Sequence, residues 1–390
     1  MIDPILREIA THRQLEYLEA IEKYGSQRKA AEALKVARNA VTDAVAKVKK
    51  KAALRGYAPE YDLHHPTAPG QILRGASTLY KDGKPVIQWV KTAADEEQRI
   101  AIVKEIIKSM TEEIRGLSPV IAAPCWNAAD YLAVYPIGDP HVGLHVWAKE
   151  CGEAFDLKIA RELTLGAVDR LMESAPSADT GIILLLGDVF HMNDQSNQTP
   201  AHKHQLDVDS RFVKVLQVGI EMYRHAILRA LTKHKRVIVR CMQGNHDPEA
   251  IWALAFTLSA YFDNEPRVDV DLSPSPHWYY RFGKVLIGST HGDKMKHEQL
   301  PAVMACDRAE DWGQTKHRYW YTGHVHSQNL REFPGVICES FRTLAAKDSY
   351  ANGYGYRAGR DMVCIIHHKE HGEIERHRCD VGMLEAATQN

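Results

Sequence analysis

Between residues 12 and 24 the apolar positions Leu15, Leu18 and Ile21 recur at the spacing of one helical face, and Gly25-Ser26 stops that helix and caps the next. A second short helix is expected from about Gln27 to Leu34, with Ala30, Ala31 and Leu34 inward. After a turn at Lys35 to Ala37, a third helix puts Val41, Val45 and Val48 on one face. From Tyr57 to Gly70 the chain is rich in Pro and His and reads as a linker. Ser77 to Trp89 reads as a hairpin turning at Lys81-Asp82-Gly83-Lys84. A charged amphipathic helix is expected around Asp95 to Arg115.

Beyond residue 125 the pattern changes to short apolar runs that each end in a polar cluster. Tyr131 to Ile137 leads into Gly138-Asp139-Pro140-His141, and Ile182 to Leu186 into Gly187-Asp188-Val189-Phe190-His191. Val237 to Met242 leads into Gly244-Asn245-His246-Asp247. Lys284 to Ser289 leads into Thr290-His291-Gly292-Asp293, and Tyr319 to Thr322 into Gly323-His324-Val325-His326. Strands that stop together can converge their terminal side chains on one point. Near the end, Met362 to Ile366 and Glu373 to Arg378 read as a hairpin closing a sheet.

Composition adds bounds. At 390 residues the chain exceeds what one core usually supports, and 45% apolar with 25% charged residues fits a folded globular protein. The net charge of −1 gives no whole-chain attraction to DNA or anionic lipid. It conceals a local imbalance: from residue 27 to 55 nine basic residues accompany only Glu32 and Asp43. The three N-terminal helices, with a tight turn between the last two, have the form of a helix-turn-helix. On the third helix Arg38, Asn39 and Thr42 lie off the apolar stripe where such a motif meets base edges, and Lys47, Lys49, Lys50 and Lys51 extend the basic face. The plainer alternative is a small bundle with solvated lysines, or one that mediates homo-oligomerisation.

Seven scattered cysteines without a C-x-x-C pair argue against a disulfide framework or a thiolate metal site, and a reducing cytoplasm fits. Met1-Ile2-Asp3-Pro4 opens no secretory signal, and no apolar run reaches membrane-spanning length, so no membrane partner is expected. The 21 histidines invite a search for clusters. Mixed carboxylate, imidazole and amide donors after the five runs suit two divalent cations, Mn first, with Fe, Zn and Ni as alternatives. Asp188 is the natural bridge between them. Two cations about 3.5–4 Å apart can clamp the attacking and leaving oxygens of a phosphoryl displacement, so the implied reaction is phosphoester hydrolysis.

In order and spacing, D-x-H at Asp139/His141, G-D at Gly187/Asp188, G-N-H-D at 244–247, the lone His291 and G-H-x-H at 323–326 resemble the calcineurin-like metallophosphoesterase superfamily. The likeness covers roughly residues 130 to 330. It implies an α/β (α+β) fold, a two-sheet β-sandwich flanked by helices, and the N-terminal pattern places a three-helix helix-turn-helix domain ahead of it. The expected division is 1–56 helix-turn-helix, 57–125 linker with hairpin and helix, and 126–390 phosphoesterase domain. The resemblance further implies that Asp139, His141 and His326 hold one metal and Asn245, His291 and His324 the other, bridged by Asp188. A bridging hydroxide would attack, His246 would protonate the leaving oxygen, and Asp247 would orient the His246 ring.

Protein phosphatases of this superfamily follow the bridging Asp with D-R-G, which Val189-Phe190-His191-Met192 lacks. The G-D-x-F-H form is similar to nuclease subunits of double-strand-break repair complexes. His191 then contacts the scissile phosphate, or, as the alternative, hydrogen-bonds Asp188. The whole pattern also resembles phage- and prophage-encoded proteins described as DNA-repair exonucleases, acting in a bacterial host's cytoplasm on DNA. The rivals are a small-molecule phosphatase or cyclic-nucleotide phosphodiesterase, a non-catalytic DNA-binding regulator, and a structural component of a phage particle. Outside the motifs, the polar loop from Asn193 to Arg211 reads as solvated, and Trp147 as core or as a base-stacking residue. Arg342, Lys347, Tyr354, Tyr356, Arg357 and Arg360 have the composition of a single-strand grip.

Overall fold

The N-terminal helices begin and end where side chains can cap them. In the computed structural model, which describes residues 3–54, 57, 71–81, 84–94 and 111–388, helices span Pro4–Ile9, His12–Tyr24, Gln27–Leu34 and Arg38–Leu54. Thr11 and Gln14 form a reciprocal capping box, Gly25 in the left-handed region ends the second helix, and Ser26 caps the third. The sequence reading missed Pro4–Ile9, which Asp3 caps and Pro4 opens. Tyr17, Ala31 and Val41 form the buried centre of this bundle, whereas Leu15 is only half-buried. Tyr17, absent from the expected apolar face, can be buried because its hydroxyl is satisfied locally, accepting from the Arg13 guanidinium at 3.2 Å.

Two strands, β1 (Gln71–Lys81) and β2 (Lys84–Ala94), pair antiparallel from Gln71↔Ala94 to Lys81↔Lys84, a hairpin longer than expected. Asp82 and Gly83, the expected linker beyond Tyr57, and the expected helix from Asp95 as far as residue 110 lie outside the described residues. The chain divides into two compact units, Met1–Ile106 and Ile107–Asn390.

The second unit is mixed α/β, with two mixed sheets and helices. Its strands are β3 (Ala128–Ile137), β4 (Ala178–Leu185), β5 (Arg236–Cys241), β6 (Val268–Asp271), β7 (Trp278–Phe282), β8 (Val285–Ser289), β9 (His317–Thr322), β10 (Asn329–Phe333), β11 (Val336–Ser340), β12 (Asp361–His368) and β13 (Gly372–Asp380). One sheet has the order β13-β12-β3-β4-β5-β6, the other β10-β11-β9-β8-β7. β3 to β6 run parallel, as do β8, β9 and β11. The expected terminal hairpin is β12–β13, antiparallel on the edge of the larger sheet.

Why the central strands read as unbroken apolar runs follows from their two buried faces. Ile182 and Leu184 point into the layer between the sheets, where Val134, Ile287, Tyr321 and Ile365 meet them. Ile183 and Leu185 point the other way, against Leu171, Met222 and Leu254 of the helices Leu157–Ser174, Phe212–Lys233 and Ala250–Tyr261. A third cluster, with Trp320 and Cys338 on one side and Leu300 and Met304 on the other, covers the smaller sheet's outer face. Burying each such side chain is worth about 1.5–3 kcal/mol, so the layers hold the strand ends rigidly. No helix among the described residues is long and apolar enough to cross a membrane.

Candidate metal centre

Parallel strands put their carboxyl ends on one edge, and the polar clusters begin there. Asp139 and His141 follow β3, Asp188 follows β4, Asn245 follows β5, His291 follows β8, and His324 and His326 follow β9. The backbone is strained to aim them. Of eight non-glycine residues with positive φ among those described, five are in this set: Asp139 (45°), His141 (44°), Asp188 (47°), His324 (66°) and His326 (52°). Each such conformation costs about 1–3 kcal/mol and persists only where its surroundings enforce it. Gly187, at φ 99°, allows the approach on one side, since a Cβ there would lie 2.5 Å from His291 Nδ1.

Asp139, His141 and His326 each bring a ligand atom within 4.8 Å of the others, and so do Asp188, His291 and His324. His141 Nε2 and His326 Nε2 are 3.0 Å apart. Two imidazole nitrogens bound at right angles to one ion, each about 2.1 Å from it, stand about 3.0 Å apart. His291 Nδ1 donates to the Leu186 carbonyl at 2.8 Å, which fixes the ring and leaves Nε2 bare in the neutral tautomer. That nitrogen faces Asn245 Oδ1 at 3.1 Å and Asp188 Oδ2 at 3.3 Å. Three acceptors this close need a proton or a cation among them. Asp188 Oδ1 receives the His246 N–H at 2.7 Å, and both Asp139 oxygens receive the His324 N–H at 2.9 Å.

The electrostatics point the same way. Burial, with repulsion from Asp188 and Asp247, pushes Asp139 up to about 8, and burial with Asp188 pushes Asp247 up to about 7. Burial also works against ionising Asp188, yet His291, His246 and His141 hold it below the usual carboxylate range. Burial opposes a proton on His291 as well, but Asp188 and Asp139 hold its pKa at about 10. Without cations the site therefore keeps protons on Asp139 and His291 at neutral pH. Oxygen and imidazole donors without thiolate fit divalent first-row ions, and these clusters, with His141, His191 and His246 as a third overlapping group, could hold metal.

This gives a signed prediction for the metal-free protein. Asp139 and His291 both bind protons more tightly folded than unfolded, so stability falls as pH rises, from 3.8 to about 8 for Asp139 and from 6.5 to about 10 for His291. Below about pH 6.5 the histidines whose pKa burial lowers work the other way, so chelator-treated protein should melt at progressively lower temperature between about pH 7 and 9, and metal addition should release protons and restore the loss. A flat melting temperature across that range contradicts the assignment.

The remaining expected site residues fall differently. His191 is buried, its Nδ1 3.2 Å from His141 Nδ1 and its ring stacked on His246 at 5.2 Å. Burial and the neighbouring His246 push its pKa down to about 3. No hydrogen bond from His191 to Asp188 occurs among the described residues. The His246 ring is held through Nδ1, which donates to the His191 carbonyl at 2.9 Å. Among the described residues no hydrogen bond joins Asp247 to that ring; its carboxylate accepts the Phe190 and Gly244 N–H groups, both at 3.0 Å, and so ties the loop after β4 to the loop after β5. Thr343, which no sequence pattern marked, donates its hydroxyl to the Asp139 carbonyl at 2.6 Å.

In the first unit Arg38, Asn39, Thr42, Lys47, Lys49, Lys50 and Lys51 all lie exposed on the helix Arg38–Leu54. The Thr42 hydroxyl sits 3.1 Å from both Gln27 Oε1 and the Arg38 carbonyl, so its proton is committed within the bundle. In the second unit the loop from Asn193 to Arg211 is anchored at both ends. Asn193 caps the helix at Ala250, and Asp209 accepts the Leu157 N–H. Arg342 pairs with Asp361, and Lys347 and Arg360 with Glu153, so three cations of the expected single-strand grip hold the fold instead. Trp147 is exposed rather than core.

No protein-family model matches the chain, and no curated protein matches it. Solved structures do align. A conserved uncharacterized protein of Streptococcus pneumoniae, described as a predicted phosphoesterase, shares 9% identity at TM-score 0.26, over 65% of this chain and 99% of that one. Vps29 of Entamoeba histolytica in complex with zinc shares 13% at TM-score 0.28, over 64% and 99%. Vacuolar protein sorting 29 of Cryptosporidium parvum shares 12% at TM-score 0.29, over 65% and 100%. Likeness at this level assigns neither an activity nor a role to any residue of this chain.

Proposed function

We propose that this chain is a two-metal-dependent phosphodiesterase whose substrate is DNA. The observation that carries the reading is the pair of triplets, Asp139/His141/His326 and Asp188/His291/His324, in which Asp139, His141, Asp188 and His291 are buried, with Asn245 against His291. Two divalent cations held there would supply charge for the phosphoryl oxygens and activate water at neutral pH. The chain's own contribution is positioning. Asp188 is held ionised between His246 N–H and His291, and the Leu186 carbonyl fixes the tautomer of His291. With Nδ1–H given to the His191 carbonyl, His246 keeps Nε2 for a proton destined for the leaving oxygen. The motif resemblance to calcineurin-like metallophosphoesterases, and to phage exonucleases within that likeness, supports the same chemistry.

Replacing His246 with Ala should lower turnover by about 10²–10⁴-fold while metal content stays near normal. Its backbone N–H, which serves Asp188, is retained in the variant. Loss of bound metal would make His246 a ligand instead. For DNA as substrate, the support is the basic, exposed face of Arg38–Leu54. Changing Lys49, Lys50 and Lys51 to Gln should weaken DNA binding and flatten its salt dependence by about 0.9 for each phosphate no longer neutralised. An unchanged slope removes that face from the reading. The deciding assay is metal-reconstituted hydrolysis of end-labelled single-stranded DNA, duplex DNA and RNA beside a generic diester and monoester. Cleavage of the small esters alone would instead favour a small-molecule phosphatase or phosphodiesterase.

A further inference from the structure

Two short helices at the surface of the second unit, Ala148–Cys151 and Ser349–Gly353, are joined by the Asn352 side-chain amide, which donates to the Glu150 carbonyl at 3.0 Å. Around this joint the chain exposes four large aromatic residues, Trp147 (58%), Tyr350 (62%), Tyr354 (66%) and Tyr356 (58%). The tyrosines form a ladder. Tyr350 and Tyr354 have ring centroids 4.5 Å apart, and Tyr354 and Tyr356 stack at 6.2 Å with 26° between planes. Contiguous exposed rings mark an interaction surface, because nothing in folding requires them outside.

Cations accompany the rings. Lys149 Nζ stands 5.7 Å from the centre of the Trp147 ring. The Arg357 guanidinium is held by Asn352 Oδ1 at 3.0 Å and the Tyr356 carbonyl at 2.8 Å, neither of which neutralises its charge. Among the described residues neither Lys149 nor Arg357 pairs with a carboxylate. Both arms of the patch also spring from the metal centre. Trp147 follows Asp139 by eight residues, and Tyr350 follows Thr343, whose hydroxyl holds the Asp139 carbonyl, by seven. Seven residues span at most about 25 Å.

We infer that Trp147, Tyr350, Tyr354 and Tyr356 form a stacking platform for the bases of a single-stranded polynucleotide whose backbone runs on to the metal centre. Exposed π-faces interleaved with un-neutralised cations are what such a strand requires, and base stacking on aromatic rings tolerates any sequence. The inference deepens the phosphodiesterase reading and rests on it for the chemistry at the strand's far end. Protein surfaces also use Tyr and Trp, but the two free cations and the tether to a phosphoester site favour the nucleic acid.

The test uses the full chain in chelator, with anisotropy of labelled oligodeoxythymidine as the binding readout and bis-p-nitrophenyl phosphate hydrolysis, after metal reconstitution, as the activity readout. Trp147→Ala with Tyr354→Ala should bind the oligonucleotide at least about ten-fold more weakly. It should hydrolyse the small diester at the wild-type rate, and Tyr354→Phe should keep wild-type affinity. Oligonucleotides carrying 5-iodouridine should photocrosslink to Trp147 or to the tyrosines of 350–356. Unchanged affinity together with crosslinks confined to Met1–Ile106 would overturn the platform and leave the patch to a protein partner. A wild type that binds through the patch yet leaves the diester intact would overturn the phosphodiesterase reading alone.

Discussion

Asp188→Asn should leave the fold nearly intact and abolish hydrolysis of a phosphodiester, a loss beyond the roughly 10–100-fold cost of removing a residue that merely supports a ligand. The amide oxygen can still accept the His246 N–H at the Oδ1 position. Its NH₂ group would then face His291 Nε2 at the position of Oδ2, where it can donate to the neutral ring but cannot bind a cation. The variant should thus melt close to the metal-free wild type, bind less metal, and lose the proton held on His291. Metal content by atomic spectroscopy and diester turnover, measured on the same sample, check this. Wild-type turnover in the variant would remove Asp188 from the centre.

Gly244→Ala should be as damaging for a different reason. A Cβ at Gly244 would fall 1.9 Å from Asp188 Oδ1 and 2.2 Å from the Asp188 backbone nitrogen. The backbone atom cannot swing aside as a flexible side chain could, so the loops after β4 and β5 must separate. Overpacking of this kind costs about 1–3 kcal/mol or more, and here it breaks the Asp247 ties as well. Expected are a lower melting temperature and loss of metal affinity together. Gly313→Ala is the control: nothing lies within 4 Å of the added methyl, in the helix Ala309–Gln314, and up to about 1 kcal/mol of stabilisation is expected. Similar melting temperatures for the two variants would show that the loops yield.

These two residues also mark the boundary of what the sequence discloses. β3, β4, β5, β8 and β9 were legible because strands buried on both faces read as apolar runs, and the polar clusters stood out against them. β10, with Asn329, Arg331 and Glu332 among its five residues, is an exposed edge strand and has no such signature. Seven candidate ligands were legible as residue types. The left-handed backbone of five of them was not, since it is imposed by packing between strands far apart in the chain. The same distance hid Thr343, which reaches Asp139 from 204 residues away. It also misled the reading of Arg342, Lys347 and Arg360, whose carboxylate partners become neighbours only in the fold. Asp247, adjacent in sequence to His246, also holds backbone N–H groups on two loops, which sequence adjacency did not disclose.

The two-metal phosphodiesterase is tested most directly by titrating metal-stripped protein with Mn²⁺ while following hydrolysis of bis-p-nitrophenyl phosphate. Two triplets that act together require no turnover in chelator and a rate that rises until two equivalents of metal are bound per chain. Turnover that persists in the stripped protein, or none when both equivalents are bound, would contradict it.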